Sequence, residues 1–238
     1  MGVTNSNKTA SLTQINCDGT FDVTLALTAT PDITTNPTDI VLVLDRSGSM
    51  EGSALANLKL GAKKFIQIID QATDGSGDGQ IGSGSRIGIV SFAGTASQDT
   101  ALITSVAALD AAVDNLSAGG LTNHADAFSV ATSLLGTPSS NAKVIVMFTD
   151  GNTTAGGNPN PVAAAARAQG IVVYVIGLIG SDGIDISALN NWATDPDTSH
   201  VAVTPDEADL ETLFEDLAAI PVPPPFSSTK RWNRTSGF

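Results

Sequence analysis

The sequence predicts an α/β domain with a doubly wound, mostly parallel central sheet, helices on both faces and an extra N-terminal β-strand. Three observations carry this. Runs such as 40–44 and 143–148 are apolar with little alternation, as strands buried on both faces are. Segments with apolar residues at helical spacing lie between such runs, the alternation that builds a parallel sheet. The 238 residues, 42% hydrophobic and 15% charged, supply a sizeable core and differ from the composition of a disordered chain.

Taken in order, residues 20–28 alternate apolar and polar, the period of a half-buried strand, until Pro31, Asn36 and Pro37 break it. The run 40–44 is the first central strand and ends at Asp45. Leu55, Leu58, Ala62, Phe65, Ile66 and Ile69 mark one face of a helix over 55–69. A strand follows at 86–93, then a shorter one at 100–104 that suits a sheet edge. Helices are expected at 107–116 and 124–135, and the second doubly buried strand at 143–148. An alanine-rich helix spans 161–169, with Gly170 as its stop. A strand at 171–176, a helix at 186–193 and a short strand at 200–203 come next. The last element is a helix over 206–217 with acidic residues near the positive end of its dipole.

The chain therefore divides into an N-terminal segment with one strand (1–37), a domain (38–219) and a proline-rich linker with a basic tail (220–238). Residues 20–28 suit either an added edge strand or part of a second β-module. The tail reads as a linker or an appended remnant.

Charge and composition exclude several functions. All 24 acidic residues precede Pro221, against eight of the 11 basic ones. So acidic a body repels phosphate backbones, which argues against a nucleic-acid partner. No apolar stretch reaches the roughly 18 residues of a membrane span. The single Cys17 cannot form an internal disulfide or a cysteine zinc cluster.

Chemistry concentrates in the loops after the strands, where ligands of open α/β sheets bind. Asp45, Ser47 and Ser49 follow the first central strand at i, i+2 and i+4, with Gly48 relaxing the backbone between the serines. Asp150 follows the second such strand, after Val144 to Thr149, and Thr122 follows the glycines of Gly119-Gly120-Leu121. Two carboxylates and three hydroxyls are hard, short donors that suit a small hard cation and leave coordination positions for water or an external oxygen.

Asp45-Arg46-Ser47-Gly48-Ser49 resembles the DxSxS signature of the von Willebrand factor A (integrin I-like) domain. Gly120-Leu121-Thr122 and Phe148-Thr149-Asp150-Gly151 are similar to its second and third motifs, over roughly 38–219. The resemblance implies a Rossmann-like fold and a metal-ion-dependent adhesion site (MIDAS). Ser47 and Ser49 would touch the cation directly, Thr122 directly or through water, and Asp45 and Asp150 largely through waters. The expected cation is Mg²⁺, or Mn²⁺ or Ca²⁺, and its open position would accept a carboxylate from a partner protein. Composition resembles that of bacterial surface proteins, so an extracellular or cell-surface location is expected, with signal and anchor outside this stretch.

The alternatives are an intracellular assembly subunit of an AAA-type ATPase system and a metal-dependent hydrolase. The hydrolase reading lacks support: the second Asp of a haloacid-dehalogenase site is here Ser47, and no phosphate loop or nucleophile elbow occurs. No enzymatic activity is expected. His124 is read as a surface or loop residue, and Arg46 and Glu51 as flanking residues that tune ligand selectivity. A second, calcium site is a candidate at Asp74, Ser76 and Asp78, which resemble the first half of an EF-hand loop with Ser85 at the twelfth position. The competing reading is a flexible glycine-rich connector.

Overall fold

The computed structural model describes residues 5–9, 24–28, 37–178 and 184–204. Asn5–Thr9 (β1) and Thr24–Thr28 (β2) pair antiparallel in a two-stranded sheet of their own. Of the strand expected at 20–28, the described part, Thr24–Thr28, is paired with an upstream polar segment and not with the edge of the main sheet. The domain proper opens with β3 (Thr38–Asp45), every residue of which is buried. Then follow α1 (Ser53–Asp74), β4 (Arg86–Phe92), β5 (Ala96–Gln98), α2 (Val106–Asp114) and α3 (His124–Leu135). The order continues with β6 (Ala142–Thr149), α4 (Pro159–Ala168), β7 (Val172–Leu178), α5 (Ile186–Trp192), α6 (Asp197–His200) and β8 (Val201–Thr204).

The main sheet runs β5-β4-β3-β6-β7-β8. All neighbours are parallel except β4 and β5. Period-two alternation along β3 sends Ile40, Leu42 and Leu44 to one face, among Leu58, Phe65 and Ile66 of α1 and Leu109 and Val113 of α2. Val41 and Val43 face the other way, towards Phe128 and Ala131 of α3, Ala163 of α4 and Trp192 of α5. This doubly covered core explains why the strand lacks polar alternation; each fully buried large apolar side chain contributes about 1.5–3 kcal/mol.

One expectation needs correction. The edge strand is Ala96–Gln98, antiparallel to β4, and not 100–104, which makes only an isolated bridge from Ile103 to Ile87. A short edge strand with one neighbour needs no apolar run, so it leaves little trace in hydrophobicity. The expected helix at 206–217 lies outside the described residues, as does the tail.

Topology places the site. From β3 the chain crosses through α1 to β4 on one side, whereas β6 lies on the other side of β3 and leads to β7. The winding therefore reverses between β3 and β6, and a crevice opens beyond their carboxyl ends. Asp45 closes β3 and Asp150 follows β6 directly.

Candidate metal centre

Three loops meet at that crevice. After Asp45 the chain leaves the sheet at Arg46, whose N–H still donates to Phe92 O at 2.8 Å, and turns through a 3-10 helix at Gly48–Met50. The loop 119–122 lies alongside: Gly119 N–H donates to Arg46 O (2.9 Å), and Gly48 N–H to Gly120 O (3.0 Å). A Cβ on residue 48 would come within 3.3 Å of Gly120 O, and Gly120 itself sits at φ +87°. Glycine at both positions permits this close approach. The third loop binds the second: Thr122 N–H donates to Thr154 Oγ1 at 2.8 Å, and Thr154 N–H returns a bond to Thr122 O at 2.9 Å.

Four of the five expected donors form one hydrogen-bonded chain. Ser47 N–H donates to Asp45 Oδ1 at 2.8 Å, Ser47 Oγ and Ser49 Oγ are 3.1 Å apart, and Ser49 Oγ donates to Asp150 Oδ1 at 2.9 Å. The last link joins residues 101 positions apart. Thr122 is brought beside them by the backbone bonds between its loop and Arg46 and Gly48. Asp45, Ser47, Thr122 and Asp150 are buried, and Ser49 is exposed at the mouth.

Burial pushes the Asp45 carboxyl up to about 6; hydrogen bonds from Ser47 and Thr149 oppose this, and the charge of Asp150 adds to it. The site thus concentrates negative charge where water is excluded, and a divalent cation is the natural compensation. Among the described residues no three His, Cys, Asp or Glu side chains gather as a metal-binding group. Any divalent ion held here would therefore take much of its coordination from hydroxyls and would stay only partly neutralised.

His124 is a correction. It is fully buried at the start of α3, not on the surface. Its ring lies between Phe92 and Trp192, with centroids 5.2 and 4.6 Å away. Nδ1 is 2.9 Å from Thr153 Oγ1 and Nε2 is 2.9 Å from Thr149 Oγ1. Thr149 Oγ1 in turn donates to Asp45 Oδ2 at 2.7 Å. Burial holds the imidazole down at about 4, so it is neutral near pH 7. The only sequence signal for this arrangement was the nearness of His124 to Thr122.

Arg46 turns its guanidinium towards β4, where Nε donates to Ser91 Oγ at 3.3 Å, and Glu51 is exposed. Asp74, the last residue of α1, and Ser76 and Asp78 on the loop that follows are all exposed. Asp74 Oδ1 accepts from Ser76 N–H (2.9 Å) and Oγ (2.7 Å), and Asp78 Oδ1 accepts from Gln80 N–H (3.0 Å). Ser85, at the twelfth position of that loop, is buried and accepts from Thr38 N–H at 3.1 Å. Beside the main site a pocket of about 360 Å³ opens, lined by Asn152, Thr153, Asn160, Asp185 and Trp192 among others.

A family model for the von Willebrand factor type A domain matches residues 39–216. The chain belongs to this family. Matrilin-1 of Homo sapiens is 28% identical over 191 residues, which are 75% of this chain and 36% of matrilin-1. Matrilin-3 of Mus musculus is 29% identical over 177 residues, 69% of this chain and 34% of that protein. The chain spans about a third of the length of these curated relatives. Among solved type A domains, proximal thread matrix protein 1 from the mussel byssus, with a zinc-occupied MIDAS motif, superposes with a TM-score of 0.66. Identity there is 23%, over 80% of this chain and 46% of that one. The vWF domain of a type V pili tip protein from Porphyromonas gingivalis superposes with a TM-score of 0.65 at 17% identity, over 77% of this chain and 94% of that one. Likeness at these identities establishes the type A fold.

Proposed function

We propose that this type A domain is a divalent-cation-dependent protein-binding module. Asp45, Ser47, Ser49, Thr122 and Asp150 hold Mg²⁺ or Mn²⁺, and the remaining coordination position takes a carboxylate from a partner protein. The observation that carries the reading is the hydrogen-bonded chain from Asp45 through Ser47 and Ser49 to Asp150, at the reversal of the sheet. When bound, the cation supplies an electrophilic point that an external anion can complete. The protein's residues orient the donors and keep Asp45 away from water, while exposed Ser49 marks the open side. The zinc-occupied motif of the mussel-thread neighbour supports a divalent ion at this position. We assign no catalysis: Ser47 and Ser49 bond to one another and to carboxylates, and His124 is committed to two threonines.

The setting is extracellular, on a bacterial surface, and the function is adhesion or assembly. Support comes from the names of the neighbours, which include a pili tip protein and a byssal thread protein. Among the described residues no helix is long and apolar enough to cross a membrane. The test is capture of a partner presenting an acidic residue: binding lost with EDTA and restored by Mg²⁺ or Mn²⁺ is expected. Binding that persists under chelation and in Asp45→Ala overturns the mechanism.

A further inference from the structure

The geometry points to His124 as a positioning residue of the metal centre, acting through the Thr149 hydroxyl on the Asp45 carboxylate. This rests on the metal-binding reading above. Asp45 Oδ1 is held by Ser47 N–H at 2.8 Å and Oδ2 by Thr149 Oγ1 at 2.7 Å. The two bonds act on different oxygens and fix the rotation of the carboxylate about its Cβ–Cγ bond. Thr149 has a single hydroxyl proton, and an ionised carboxylate can only accept, so that proton goes to Asp45. The 2.9 Å contact with His124 Nε2 is then a bond in which Nε2–H donates and Thr149 accepts. Gly151 N–H also points at the same oxygen from 3.3 Å.

One tautomer follows. With the proton on Nε2, Nδ1 of a neutral imidazole is an acceptor, and Thr153 Oγ1 donates to it at 2.9 Å. The ring also packs against Phe92 and Trp192, with centroids 5.2 and 4.6 Å away. A directed line therefore runs from Thr153 through His124 and Thr149 to Asp45, and it ties the loop after β6 to the end of β3. Groups that orient a metal ligand in this way typically change metal affinity about 10–100-fold when removed. The buried imidazole is thus assigned a use beyond packing.

The test uses Mn²⁺ alone, titrated calorimetrically into the full chain and its variants well below their unfolding temperatures. His124→Phe keeps an aromatic ring between Phe92 and Trp192 but removes the donor, and Thr149→Val keeps the shape but removes the hydroxyl. Each is expected to weaken Mn²⁺ binding about tenfold. The double variant should lose no more than the worse single, because both cut the same line. Thr149→Ser, which keeps a hydroxyl, should restore most of the affinity. If His124→Phe folds poorly, Thr153→Ala at an exposed position replaces it, with a several-fold loss expected. In ¹⁵N-labelled protein a long-range ¹H–¹⁵N spectrum should show His124 protonated at Nε2 and bare at Nδ1. Unchanged Mn²⁺ affinity in the single variants, losses that multiply in the double, or a proton on Nδ1 overturns the assignment. A wild-type chain that binds no Mn²⁺ overturns the metal-binding reading itself, and is recognised before any variant is made.

Discussion

Arg86→Met tests the electrostatics of the sheet at the end away from the site. Asp39 and Arg86 are register partners near the starts of β3 and β4. Asp39 accepts from Arg86 Nε at 2.9 Å and Nη2 at 2.8 Å, and from Asn141 Nδ2 at 2.9 Å. The side chain of Asp39 is 1% exposed and that of Arg86 is 29%. Breaking a buried pair from one side costs about 3–5 kcal/mol. Arg86 stands partly in water, which can replace some of its bonds, so the expected loss is about 2–3 kcal/mol at pH 7.

The pH dependence gives the sign. Burial alone would raise the Asp39 carboxyl, but hydrogen bonds from Arg86, Ser139 and Asn141, with the Arg86 charge, hold it below its ordinary value. In the wild type this contributes stability above the unfolded carboxylate's pKa, about 3.9, that is lost as pH falls through the lower folded value. In Arg86→Met the burial effect prevails, and its penalty is relieved as Asp39 takes up a proton. The stability gap between the two proteins should therefore shrink from pH 7 towards pH 3. Urea unfolding across that range measures it, and a gap independent of pH refutes the reasoning. Mn²⁺ affinity should not change, because six steps along the strand carry Asp39 about 20 Å from Asp45.

Other consequences can be checked with the same protein. Saturating Mg²⁺, at 100 times its dissociation constant, should stabilise the wild type by about 2.7 kcal/mol and leave Asp45→Ala unmoved; equal thermal shifts would argue against Asp45 as part of the site. Gly120→Ala places a side chain at φ +87° and should cost about 1–2 kcal/mol while weakening metal binding, since Gly48 N–H bonds to that residue's carbonyl; unfolding and Mn²⁺ titration read the two effects. Any calcium held by the loop after α1 should be lost in Asp74→Ala, Asp78→Ala, with Mn²⁺ affinity at the main site intact; calcium affinity unaltered by the double substitution discards that loop as a site. Leu58→Ala, deep between α1 and the sheet, should cost about 2–5 kcal/mol in urea unfolding; a loss under 1 kcal/mol would mean that this face of the core is loosely packed.

Burial on both faces was legible wherever it left a mark in a short stretch. Residues 40–44 and 143–148 had to be central strands because few polar side chains interrupt them, and α3 spans the 124–135 expected of it. The candidate donors stood out because each sits in a short motif with its own glycine, and the structure brings four of them into one hydrogen-bonded chain. Segments governed by one distant neighbour were not. The polar β1 acquires its partner only by pairing with Thr24–Thr28, and the edge strand β5 acquires its own from β4.

By itself the sequence singled out hard oxygen donors as candidates for a cation site and determined which segments could form the sheet, because residue type and period are local properties. Only the tertiary structure decided that Ser49 reaches Asp150 across 101 positions and that His124 is buried beneath Trp192. Those facts depend on the order of β3 and β6 and on the packing of α5 over the sheet. Neither is encoded in a spacing along the chain, since both follow from burying apolar surface contributed by segments far apart.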